Sequence, residues 1–127
     1  MMNYFFSKRK SLVFYFLLAM ILLLVGCGSS SDTSTDVVGE EFKFVPEKVT
    51  ISKGEEVTMT FTNNDQVFHN LIVDNIPTSN GHNQIYLEAE VNEEDSVSFT
   101  ATEAGTYEMY CDEPGHEQMV GTLVVEE

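Results

Sequence analysis

The sequence predicts an all-β domain, folded as a β-sandwich, and three observations carry that prediction. Beyond residue 37, apolar and polar residues alternate in short runs, the two-residue period of half-buried strands. Gly, Pro, Asn and Asp clusters punctuate those runs, as turns do. No stretch there repeats apolar residues at helical spacing. Seven or eight short strands of this kind hide their apolar faces most economically in two packed sheets.

The elements follow in order. Residues 41–44 are a short strand candidate, stopped by Pro46. Residues 48–52 put Val49 and Ile51 on one face, and Lys53-Gly54-Glu55 turns the chain. Residues 56–62 give the clearest strand, with Val57, Met59 and Phe61 on one side and three threonines on the other. Asn63-Asn64-Asp65 breaks it. Residues 67–73 are mostly apolar, which suits a strand covered on both faces. Residues 74–84, rich in Asn, Pro, Ser and Gly, read as a long loop. Strands are expected over 85–91 and 95–100, then over 106–111 with Tyr107, Met109 and Cys111 on one face, and last over 119–125.

The first quarter of the chain reads differently. Lys8, Arg9 and Lys10 precede an uninterrupted apolar run over residues 12–25. That is the charged and apolar sequence of a secretory signal, and it is short for a membrane span. It ends Leu24-Val25-Gly26-Cys27, which resembles a bacterial lipobox, so residues 1–26 are expected to be removed and Cys27 lipidated. The alternative is an uncleaved anchor helix that ends in Cys. Residues 28–36 hold no apolar side chain and read as a flexible tether. The organisation expected is therefore a signal peptide (1–26), a lipidated Cys and linker (27–36) and a folded domain (37–127), extracytoplasmic and lipid-anchored to the cell membrane.

Charge and cysteine usage narrow the function. Of 127 residues, six are basic and 21 acidic; three of the basic ones lie in the signal and none follows Lys53. The part beyond the signal carries three basic residues against all 21 acidic ones, a net charge of −18 before termini. Such a field excludes nucleic acid as a partner and favours a cationic one. With lipid on Cys27, Cys111 has no cysteine to pair with. An unpaired Cys in an oxidising compartment needs protection or a role, and metal ligation supplies one.

Cys111, His116 and Met119 lie close together between two predicted strands, and His69 sits in the apolar strand upstream. One Cys, two His and a Met are the donors of a blue-copper site, trigonal His₂Cys with a weak axial Met. Imidazole suits Cu(II), soft sulfur suits Cu(I), and the mixed set serves both. Asn70 is placed to hydrogen-bond across to the Cys111 loop and to tune the sulfur. Phe68, Pro114 and Met119 are expected to exclude water, and the charges of Asp112, Glu113 and Glu117 to favour Cu(II). Taken singly, each residue has a plainer reading: Cys111 as a small core residue, His69 as a hydrogen-bonded core histidine, Met119 as strand packing. Their order and context together favour the metal. His82 reads as an exposed loop residue.

The segments Phe42-Lys43-Phe44-Val45-Pro46, Phe68-His69-Asn70, Gly105-Thr106-Tyr107, Tyr110-Cys111-Asp112-Glu113-Pro114-Gly115-His116 and Met119-Val120-Gly121-Thr122 resemble the cupredoxins, the plastocyanin and azurin family. That resemblance implies a Greek-key β-sandwich, His69, Cys111 and His116 as equatorial ligands, Met119 as the axial one, and Tyr107 as a tyrosine corner. Two features depart from the common pattern. Only Glu117 and Gln118 separate His116 from Met119, a tight loop that bears on the axial distance, and residues 92–95 lack the expected Gly.

The function implied is that of a type 1 copper protein, a membrane-tethered one-electron carrier that holds one Cu(I)/Cu(II) ion. Its electron path runs through the His116 edge, in a patch to which Pro77 and Pro114 contribute. The expected partner is a redox protein with a basic surface, a c-type cytochrome or an oxidase domain, met by a monomer. The alternative is a copper protein for acquisition, delivery or resistance. A metal-free structural cupredoxin fits a complete donor set poorly. Catalysis is not expected, because four protein ligands leave no open position on the metal. A two-copper centre needs a second Cys in the loop, and none is there.

Overall fold

The computed structural model describes residues 33–127, so the expected signal, Cys27 and the first part of the linker lie outside the described residues. The described residues contain nine strands and no helix. They are β1 Thr33–Glu40, β2 Lys43–Val45, β3 Lys48–Ser52, β4 Glu56–Asn63, β5 His69–Asp74, β6 Gln84–Ala89, β7 Glu94–Thr100, β8 Gly105–Tyr110 and β9 Val120–Glu126. One sheet runs β2-β1-β4-β7 and the other β3-β9-β8-β5-β6. The pairs β1–β4 and β3–β9 are parallel and the others antiparallel. This is the Greek-key sandwich expected.

The alternation read from β4 fixes its face. Val57, Met59 and Phe61 are fully buried between the sheets, while the threonines between them are half-buried outside. The five residues from His69 to Val73 are all buried, and the ladder explains why. Leu71 and Val73 enter the core. On the opposite face Ile72 lies between Tyr86 and Tyr110, its partners on either side, and those rings cover it.

Two expectations need correction. Residues 33–36 are not linker: they pair in parallel with Val57–Thr60 as the first half of β1, so the folded domain includes them. Composition misled because this half-strand is held by ladder hydrogen bonds and by Thr33 Oγ1 on the Glu55 carboxylate, not by apolar burial. Residues 41–44 are likewise not one strand. Glu41 and Phe42 form the two-residue tip of the β1–β2 hairpin, with φ of 51° and 57°. Such a tip needs left-handed backbone at both positions and usually carries Asn-Gly, so Glu-Phe gave no signal.

The long loop after β5 is ordered, with Ile76 fully buried and Thr78 bridged to Ala101. Asn92, with φ of 62°, takes the place of the expected Gly in the Glu90–Glu93 turn, a conformation that Asn tolerates well. The Tyr107 hydroxyl donates to Glu103 O at 3.0 Å, which makes the tyrosine corner.

Candidate metal centre

Four segments meet at one end of the sandwich: the β1–β2 tip, the turn before β5, the Glu90–Glu93 turn and the 111–119 loop. His69 opens β5 on its core-facing side and is fully buried. Cys111 directly follows β8. From there two turns in succession shape the loop. Glu113-Pro114-Gly115-His116 is closed by His116 N donating to Glu113 O at 3.0 Å. Pro at the second position and Gly115 at the third, with φ of 89°, are what a type II turn requires. Met119 N then donates to His116 O at 2.8 Å, and Cys111 N to Met119 O at 3.1 Å. The tight spacing is thus one turn long, and it returns the chain to the base of the loop.

Nδ1 of His69 lies 3.2 Å from Nδ1 of His116, and Cys111 Sγ lies 3.5 Å from His116 Nδ1. The three donor atoms all fall within 4.8 Å of one another. An ion about 2.0–2.1 Å from two imidazole nitrogens, with bonds about 100–120° apart, needs those nitrogens roughly 3.1–3.6 Å apart. The observed separation fits. Without a metal, the same distance suits a hydrogen bond in which one ring N–H donates to the other ring's lone pair.

Met119 is fully buried beside this cluster. It packs under β1, where Gly39 makes room: a Cβ there would stand 3.0 Å from the Phe61 ring and 3.2 Å from the Met119 methyl. Asn70 crosses to the ligand loop. Its Nδ2 donates to Asp112 Oδ1 at 2.6 Å and its Oδ1 accepts from Asp112 N at 3.0 Å. His82 is exposed in the far loop. Glu117 lies at the rim, where its own N–H and that of Gly115 hold its carboxyl below the usual range.

The sequence reading gave several residues found at the site no role there. Phe42, at the hairpin tip, packs edge-on against both imidazoles, with ring centroids 5.5 Å from His69 and 4.9 Å from His116. Asp65 Oδ2 lies 2.7 Å from His69 Nε2. Asn63 Nδ2 donates to Val67 O and Ala89 O at 2.8 and 2.9 Å, which pins the turn before His69. Of the expected water-excluding residues, Met119 is buried, Phe68 half-buried and Pro114 exposed. Pro77 does not belong to this patch at all. It follows the C-terminal end of β5, roughly 17 Å of strand from His69, because the chain has crossed the sheet before reaching it.

Residues 31–126 match the model of the copper-binding proteins of the plastocyanin/azurin family. The chain belongs to that family. It is a cupredoxin, and its cofactor is one copper ion. Among individual proteins it is similar to auracyanin-A of Chloroflexus aurantiacus, 33% identical over 91% of this chain and 96% of that one. The solved structure of auracyanin A, a "blue" copper protein from the same green thermophilic photosynthetic bacterium, is 34% identical. It matches 76% of this chain and all of its own, with a TM-score of 0.64. A reduced amicyanin variant, 27% identical, matches 76% of this chain and 85% of its own, with a TM-score of 0.53.

Proposed function

We propose that this cupredoxin is an extracytoplasmic one-electron carrier. His69 Nδ1, Cys111 Sγ and His116 Nδ1 would hold its copper, with the Met119 thioether as a fourth donor and Asn70 bracing the ligand loop. The observation that carries the reading is the prior assembly of the donors: both Nδ1 atoms and the thiol already converge. Bound copper supplies a Cu(I)/Cu(II) couple, and a mixed nitrogen and sulfur set serves both states. The buried His69 and Met119, and the Phe42 ring across both imidazoles, keep water from the ligands. His116 is the half-exposed ligand, so its ring edge offers the path for the electron.

An acidic surface with no basic residue beyond Lys53 steers a basic redox partner into a brief encounter; a c-type cytochrome or an oxidase domain has the required chemistry. Lipid on Cys27, after removal of residues 1–26, keeps the carrier at the membrane, and the protein acts as a monomer. Copper retention during redox cycling, in the presence of a competing Cu(I) chelator, tests the function. A carrier keeps its copper over many cycles. Loss within a few cycles, with transfer to the chelator, would assign the protein to copper delivery instead.

A further inference from the structure

The β1–β2 tip is costly to build. Glu41 and Phe42 both have left-handed backbone, with φ of 51° and 57°, which residues with a Cβ adopt reluctantly. One side chain secures both. Asp65 Oδ1 accepts from Glu41 N at 2.8 Å and Asp65 Oδ2 from Phe42 N at 2.9 Å. The same Oδ2 meets His69 Nε2 at 2.7 Å. Asp65 is itself oriented, because its N–H donates to Asn63 Oδ1 at 2.9 Å and Asn63 is buried and anchored. Both oxygens of Asp65 thus accept backbone N–H bonds, the pattern of an ionised carboxylate.

We infer that Asp65 is a positioning residue of the copper site, one carboxylate that fixes the tautomer of His69 and seats the Phe42 ring over both imidazoles. An ionised carboxylate only accepts hydrogen bonds. Nε2 of His69 therefore carries the hydrogen, and the lone pair is left on Nδ1, which faces His116 and Cys111. A carboxylate behind a ligating imidazole makes it a stronger base and fixes its ring. The negative charge stabilises Cu(II) more than Cu(I). The hairpin tip and the metal thus depend on one anion: without it the left-handed pair loses both N–H partners and Phe42 is no longer tied above the rings.

The inference rests on the copper-site reading above, and two measurements separate them. In Asp65→Asn the charge is gone while one oxygen still accepts. Its Cu(II) affinity should fall about tenfold more than its Cu(I) affinity, an upward shift of about 59 mV for a one-electron couple. An unchanged potential in a variant that still binds copper would overturn the role of Asp65 and leave the copper site standing. Failure of the unsubstituted protein to bind copper would overturn the site itself. Nitrogen-15 spectroscopy of imidazole in the unsubstituted, metal-free full chain gives a readout independent of any variant's folding. His69 protonated at Nε2, with slow solvent exchange of that hydrogen, supports the assignment. Protonation at Nδ1 with a bare Nε2 contradicts it.

Discussion

The two ends of the sandwich use loops of similar size, but different groups tie those loops to their neighbours. At the copper end the bonds are directional. Asn63, His69 and Asn70 are buried polar side chains, and each joins two segments through hydrogen bonds. At the far end the loop between β5 and β6 sets the fully buried Ile76 against the core, backbone bonds tie Pro77 O and Ser79 N to Thr102 and Thr100, and the buried Thr78 hydroxyl bonds only within the loop, at Asn80 and His82 O. Among the described residues no buried side-chain polar atom lacks a partner. Apolar contact tolerates small shifts, because it is non-directional. Hydrogen bonds fix atoms to a few tenths of an ångström, and a site that must place three donors needs that. Buried polar side chains that join separate segments are thus gathered at the end that must place the donors.

The sharpest break in this comparison is Cys111→Ser. It should remove the intense visible absorption of the copper form completely, yet leave the urea midpoint of the metal-free protein almost unchanged. Ile76→Ala should do the reverse. Truncating a buried Ile costs about 2–5 kcal/mol, measured by urea unfolding, with the copper spectrum intact. Asn70→Ala falls between these two. It leaves the Asp112 N–H without its partner, which costs about 1–3 kcal/mol, and it frees the ligand loop, so both the midpoint and the visible spectrum should move. Gly39→Ala sharpens the comparison further. The added methyl presses on Met119 and Phe61, and the relative intensities of the visible bands should change more than the stability does.

The smallest effect lies on the outer face, where β5 ends. The Tyr110 hydroxyl donates to the Asp74 carboxylate, with Gln84 as a second donor. These bonds hold the Asp74 pKa below its usual value, and the Asp74 bond raises that of Tyr110 to about 12. A carboxylate with a lowered folded pKa stabilises the fold above its unfolded value, and that gain disappears as pH falls through the folded pKa. Tyr110→Phe should therefore cost about 0.5–1.5 kcal/mol at neutral pH and much less near pH 2. A cost independent of pH would mean that the ring's cover over Ile72, rather than the hydrogen bond, is what matters.

The same division decides what the sequence could reveal. Strands with an apolar face were legible from alternation, as β4 and β7 show. The donors were legible because Cys111, His116 and Met119 lie close together in one loop and each has few plausible roles. Legibility failed where backbone bonds do the holding. Residues 33–36 gain their place from pairing with β4, and no side-chain pattern announces a partner. The hairpin tip was invisible because Glu and Phe are not the residues that left-handed turns select. Asp65 and Phe42 could be connected to the copper site only once the tip had been folded over His69, since their roles depend on long-range geometry. On the far loop, the exposure of His82 followed from composition, whereas the distance of Pro77 from the site needed the direction of β5.

The measurement that bears most directly on a preassembled one-copper site is a titration of the metal-free protein with Cu(II), followed by visible absorption and electron paramagnetic resonance. The account predicts one equivalent bound, an intense blue band and a narrow copper hyperfine splitting, all at full amplitude without a slow rearrangement phase. A pale complex with wide hyperfine splitting, or an absorbance that develops only as the protein refolds around the ion, would contradict it.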